Sequence, residues 1–144
     1  MSDDLFGNSD SRLIVYTDGG SRGNPGHAAI GVVVGDKEYG EYIGVETNNQ
    51  AEYQALVFAL NKAKQLLGKA KAKTTEIEVR MDSELVVKQL QGKYKILEPD
   101  LQPLFLLVWN LRLDFKSVEF VHIPREKNKR ADAMVNKVLD ERRS

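Results

Sequence analysis

Four acidic residues, Asp18, Glu52, Asp82 and Asp132, stand where the chain changes from one pattern of residues to the next. Asp18 closes an apolar run and precedes Gly19-Gly20, and Glu52 lies in the first turn of a long helical pattern. Asp82 ends one strand and opens a helix, and Asp132 lies in the first turn of the last helical pattern. Each has a local explanation. Asp18 suits a turn before paired glycines, Glu52 follows Asn49 by three as the acidic half of a capping box, Asp82 suits an N-cap, and Asp132 complements a helix dipole. Their conjunction points elsewhere. Strand ends and helix starts on one rim of an α/β sheet converge on the crevice where such sheets bind ligands. Two unit charges about 4 Å apart repel by about 4 kcal/mol at an effective dielectric near 20, so four carboxylates meeting there require cations. Oxygen ligands without His or Cys favour Mg²⁺ or Mn²⁺. A pair of such ions about 3.5–4 Å apart clamps the attacking and leaving oxygens of an in-line phosphoryl displacement.

The elements that must carry these acids are visible in the apolar spacing. Residues 1–11 read as a disordered tail and residues 12–142 as one domain. Leu13-Ile14-Val15-Tyr16 is a continuous β-rich run, the mark of a strand covered on both faces. Asp18 to Gly26 reads as a loop, and 28–34 and 38–45 read as a hairpin turning at Gly35-Asp36-Lys37. From Asn49 to Leu67 the period becomes helical, with Tyr53, Leu56, Val57, Leu60, Ala63 and Leu67 on one face and Asn48 or Asn49 as N-cap. Ile77, Val79 and Met81 alternate with polar neighbours in a strand, and a helix runs from Ser83 to Leu90. Leu104 to Leu113 predicts another helix, Ser117 to Val121 a last strand, and 129–142 the final helix. The order β-β-β-α-β-α-α-β-α predicts an α/β fold. Its five-stranded mixed sheet is antiparallel over three strands, then parallel over two, with flanking helices.

Composition narrows the function classes. The chain has 144 residues, 42% of them apolar, which is ample for one packed core. It has no cysteine, so disulfides and thiolate metal sites are excluded. No basic-then-apolar leader opens it and no apolar run approaches the roughly 20 residues of a membrane span, which predicts a cytoplasmic monomer without membrane attachment. Lys and Arg number 21 against 21 Asp and Glu, so net charge alone names no polyanionic partner.

The residues around the four acids narrow the reading further. Tyr16-Thr17-Asp18-Gly19-Gly20-Ser21-Arg22-Gly23-Asn24-Pro25-Gly26, Thr47-Asn48-Asn49-Gln50-Ala51-Glu52 and Met81-Asp82-Ser83-Glu84-Leu85-Val86 occur in order. They are followed by His122-Ile123-Pro124-Arg125-Glu126-Lys127-Asn128 and Ala131-Asp132-Ala133. Together these segments resemble type 1 ribonuclease H over about residues 12–140. The resemblance implies the ribonuclease H-like fold. It also implies a divalent-metal endonuclease that hydrolyses the RNA strand of RNA–DNA hybrids, leaving 3′-hydroxyl and 5′-phosphate ends, with double-stranded RNA open as a second substrate. It casts Asp18, Glu52, Asp82 and Asp132 as metal-binding catalytic carboxylates. Two Mg²⁺ or Mn²⁺ ions would sit among them with substrate bound, Asp18 touching both. His122, ten residues before Asp132, takes the place of a histidine that assists proton transfer or product release. Gly19, Gly20, Asn24, Thr47, Asn48 and Gln50 take substrate-contacting positions. Side-chain amides both donate to and accept from sugar hydroxyls and base edges, and contacts to the 2′-hydroxyl separate RNA from DNA. Thr47 and Asn48 have a second reading as helix-entry residues.

Three features depart from the family pattern. His27 stands where proline is common and reads as a partly exposed loop residue. Gly92 to Pro99 passes on without the basic, tryptophan-rich protrusion, so this is a minimal form. Trp109, among Leu106, Leu107 and Leu111, reads as core.

Overall fold

In the computed structural model, which describes residues 12–143, the predicted first strand becomes β1 (Arg12–Gly23), the centre of the sheet. The proposed 1–11 tail lies outside the described residues. β1 turns through Asn24-Pro25 into antiparallel β2 (Gly26–Val34), which turns through Gly35-Asp36 into β3 (Lys37–Glu46). Helix α1 (Asn48–Leu67) and the short α2 (Lys69–Ala72) lead to β4 (Glu76–Met81), parallel to β1 on its other side. After α3 (Glu84–Leu90) and α4 (Gln102–Leu111), β5 (Ser117–His122) joins β4 in parallel. A last helix, α5 (Lys129–Arg143), closes the chain. The strand order is β3-β2-β1-β4-β5, the predicted mixed sheet.

The layers follow from alternation. Leu13 and Val15 of β1, Ile30, Val32 and Val34 of β2, and Ile77, Val79 and Met81 of β4 pack with Leu56 and Leu60 of α1 in one fully buried core. The opposite face of the sheet meets α5, where Ala29 packs on Val135 and Leu139. β2 is therefore apolar on both faces, as a strand between two helical layers must be.

Two expectations change here. The glycine-rich segment from Asp18 is strand, with Asp18 paired to Gly31 and the ladder running on to Gly23 and Gly26. Gly19 answers to packing, because a Cβ there would run into the Ala51 carbonyl of α1. Helix α1 approaches the strand that closely, so Gly19→Ala is expected to destabilise by about 3 kcal/mol or more, measured by urea unfolding. His27 likewise belongs to β2 and not to a loop, its Nδ1 lying 2.7 Å from the Tyr42 hydroxyl.

α4 also differs. Val108 is its buried residue, whereas Leu106 and Leu107 are 57% and 48% exposed. Trp109 is half-buried, stacked on Phe105 with Arg112 across its ring. A continuous apolar run presents every azimuth of a helix, and the single core beneath α4 covers one of them. Residues 91–101 join α3 to α4 without a further helix, in keeping with the absence of a protrusion.

Candidate active site

The site begins where two strands part. β1 pairs with β4 only as far as Tyr16 opposite Arg80, while its pairing with β2 continues to Gly23. Beyond Tyr16 the β4 side of β1 is open, and Asp18 stands on that stretch. Asp82 follows β4 immediately, with Ser83 rather than Asp82 capping α3 through its bond from Val86 N–H. Glu52 is the fifth residue of α1, beyond the first turn. The capping box there belongs to Thr47 and Gln50, whose side chains each accept the other's backbone N–H. Neither Asn48 nor Asn49 is the cap, because a Thr hydroxyl three residues before Gln50 completes both bonds at once. Asp132 lies in the first turn of α5, as expected.

The four acids meet. Asp18, Glu52 and Asp82 each offer an oxygen within 4.8 Å of the others. Asp132 stands close enough for its charge to act on the Asp18 carboxyl and lines the same cleft, of about 400 Å³. Asp18 and Glu52 are buried, whereas Asp82 and Asp132 are half-buried. Burial first, then the charges of Asp82 and Asp132, push the Asp18 carboxyl up to about 8 from 3.8. Glu52 is pushed well above its ordinary range by burial and then by Asp18 and Asp82, against the opposing pull of the Gly19 N–H and Arg125. Glu52 Oε1 is buried without a hydrogen-bond partner. An all-oxygen donor set carrying this much uncompensated negative charge fits a hard divalent cation.

Neighbouring amides fix the geometry. Asn128, 1% exposed, donates from Nδ2 to the Thr17 carbonyl oxygen (2.9 Å) and to Asp82 Oδ2 (3.3 Å). It thus takes the place of the strand partner that β1 loses after Tyr16, and its own carbonyl accepts the Asp132 N–H at the start of α5. Asn136 donates to Asp132 Oδ2 at 3.2 Å. Arg125 and Asn128 stand in the segment that carries the resemblance but received no role from the sequence, and Asn136 lies outside the quoted segments. The available signal was the place of Asn128 immediately before the last helix, four residues ahead of Asp132.

The remaining candidates occupy two places. Asn24 Oδ1 accepts the Asn48 N–H (3.0 Å), and Asn48 Oδ1 accepts the N–H and hydroxyl of Ser21 (2.9 and 3.1 Å), tying the β1–β2 turn to the start of α1. Gly19, Gly20 and Asn48 line the cleft. His122 does not. It is exposed at the end of β5, opposite Met81, with Glu84 its charged neighbour.

A family model described as reverse transcriptase-like matches residues 16–138. Ribonuclease HI of Halobacterium salinarum is 44% identical over 136 residues, covering 90% of this chain and 65% of that protein. The crystal structure of LC11 ribonuclease H1 in complex with an RNA/DNA hybrid matches at a TM-score of 0.86 and 48% identity, covering 92% of this chain and 99% of that one. The N-terminal ribonuclease H domain of Rv2228c from Mycobacterium tuberculosis matches at 0.80 and 37% identity, over 90% of this chain and 99% of that one. Against the full length of its curated relatives the chain is shorter, spanning 65% of the Halobacterium enzyme and 36% of the bifunctional Rv2228c.

Proposed function

This chain belongs to the type 1 ribonuclease H family, and from that premise we propose that residues 12–142 form a metal-dependent endonuclease. It hydrolyses the RNA strand of RNA–DNA hybrids and leaves 3′-hydroxyl and 5′-phosphate ends. The observation that carries this reading is the meeting of Asp18, Glu52, Asp82 and Asp132 in one partly buried cleft. Asp18, Glu52 and Asp82 would hold one Mg²⁺ or Mn²⁺, and Asp18 with Asp132 a second. When bound, such ions supply charge stabilisation at the leaving oxygen and a more acidic attacking water.

The chain's own residues orient the substrate. The side-chain carbonyl oxygens of Asn24, Asn48 and Gln50 are engaged with protein donors, which leaves their NH₂ groups as pre-aimed donors for ribose hydroxyls and base edges. Thr47 Oγ1 accepts from Gln50, so its hydroxyl hydrogen is available to a phosphate oxygen. Gly19 and Gly20 both line the cleft, and the absence of a Cβ at Gly20, which would stand beside the Val135 side chain, lets the ribose-phosphate approach its floor. By the family resemblance His122, exposed at the end of β5, assists proton transfer or product departure. All four carboxylates come from one chain, in keeping with a monomer. No helix among the described residues is long and apolar enough to cross a membrane.

The test is incubation with labelled hybrid, duplex RNA and duplex DNA, with and without Mg²⁺ or Mn²⁺. The expected result is cleavage of the RNA strand of the hybrid only with metal, giving fragments that a 5′-phosphate-dependent ligase rejoins. Equal cutting of duplex DNA, or cutting in EDTA, would overturn the reading.

A further inference from the structure

We propose that the substrate path continues past the carboxylates onto a basic, aromatic shelf of Arg22, His27, Tyr42 and Arg142. This shelf binds the sugar-phosphate backbone of the hybrid beyond the cut bond, a role that rests on the hybrid-cleavage reading above. Arg22, His27, Leu139 and Arg142 line a hollow of about 510 Å³. Arg22 and Leu139 also line the carboxylate cleft, so the two spaces share a wall. The link to the acids is short: Arg22 Nη2 donates to Asn136 Oδ1 (3.4 Å), and Asn136 Nδ2 donates to Asp132 Oδ2 (3.2 Å).

The shelf is ordered by its own contacts. Arg22 and His27 stand opposite each other near the end of the β1–β2 hairpin. Tyr42 on β3 lies 2.7 Å from His27 Nδ1 through its hydroxyl, and its ring carries the Arg142 guanidinium 4.3 Å above its centre. A guanidinium held over an aromatic ring by cation–π attraction loses less side-chain entropy when a phosphate arrives. Asp140 faces this group, its Oδ1 2.8 Å from Arg22 Nη1. Both partners of that pair are more than a third exposed, so the ion pair is weak and a phosphate competes with it. Charge gives the reason for the shelf. A polyanion directed to four carboxylates needs cations beside them, and a chain of zero net charge must concentrate those cations locally.

The test compares wild type, Arg142→Ala, Arg142→Lys and Asp140→Asn on two hybrids, with Lys69→Ala as a cation lining neither hollow. One hybrid is too short to reach beyond the carboxylate cleft, and the other is about two helical turns long. At low salt Arg142→Ala is expected to raise KM for the long hybrid about 3- to 10-fold and to flatten its dependence on log salt by about 0.7–0.9 for each phosphate no longer neutralised. The short hybrid should shift no more than with Lys69→Ala. Arg142→Lys should recover most of the salt slope, and Asp140→Asn should move KM for the long hybrid downward. Thermal melting confirms that each variant is folded. Equal effects on both hybrids, or an Arg142→Ala shift no larger than that of Lys69→Ala, would overturn the shelf alone. A wild-type chain that cuts neither hybrid would overturn the cleavage reading with it.

Discussion

Replacing Asp18 by Asn is expected to lower hybrid cleavage by about 10³- to 10⁵-fold while the protein stays folded. That loss corresponds to about 4–7 kcal/mol of transition-state stabilisation at 1.36 kcal/mol per decade. The substitution is close to isosteric and keeps one oxygen, so the β1 ladder and the approach of α1 to Gly19 are undisturbed. What disappears is the charge at the centre of the cluster, the group facing Asp132, Asp82 and Glu52. Asp82→Asn is expected to act in the same direction, with the hybrid still bound. Single-turnover cleavage at saturating metal measures both. Retention of activity within tenfold of wild type in either variant would remove the carboxylates from the reaction.

The second large effect is on stability, and its sign depends on metal. In EDTA the folded protein holds protons on Asp18 and Glu52 at pH values where the unfolded chain has released them. For Asp18 the folded value is about 8 against 3.8 unfolded. The folded state then binds more protons than the unfolded one, so this contribution is complete below about pH 4 and is lost as pH rises towards 8. Each such group adds a slope of at most about 1.4 kcal/mol per pH unit. Melting temperature in EDTA should therefore fall between pH 5 and pH 8 more steeply for wild type than for Asp18→Asn. Mg²⁺ or Mn²⁺ should reverse the trend, because a cation binds the ionised cluster and adds about 2.7 kcal/mol at a hundred times its Kd. Wild type and Asp18→Asn melting in parallel across this range, with metal making no difference, would show that the cluster carries no such charge burden.

The chemistry of the site was legible in residue types. Four carboxylates without His or Cys beside them select hard divalent cations wherever they are gathered, and that follows from donor chemistry alone. Helices and strands with strong periodicity were legible for the same kind of reason. The pattern of Tyr53, Leu56, Leu60 and Ala63 specifies one buried face of α1, and Ile77, Val79 and Met81 specify one face of β4.

Other features depend on partners far away in the chain. Nothing local distinguishes a glycine-rich turn from a glycine-rich strand. β1 runs on through Asp18 to Gly23 because β2 supplies its ladder and because the backbones of α1 and α5 press where a Cβ would stand, as at Gly19 and at Gly31. Asn128 gains its position from the Thr17 carbonyl left unpaired where β4 diverges, 111 residues away. The helix entry at Thr47 was decided within four residues, by which side chain closes a reciprocal pair of hydrogen bonds, yet three adjacent polar residues competed for it.

Identity and order of residues thus determined the donor set and the elements that carry it, because ligand hardness and hydrophobic period are properties of single residues and near neighbours. The tertiary structure decided how closely the acids crowd, how far Asp18 and Glu52 are raised, and which amides hold them. Those are distances and burials, and they arise only when segments from opposite ends of the chain share one cleft.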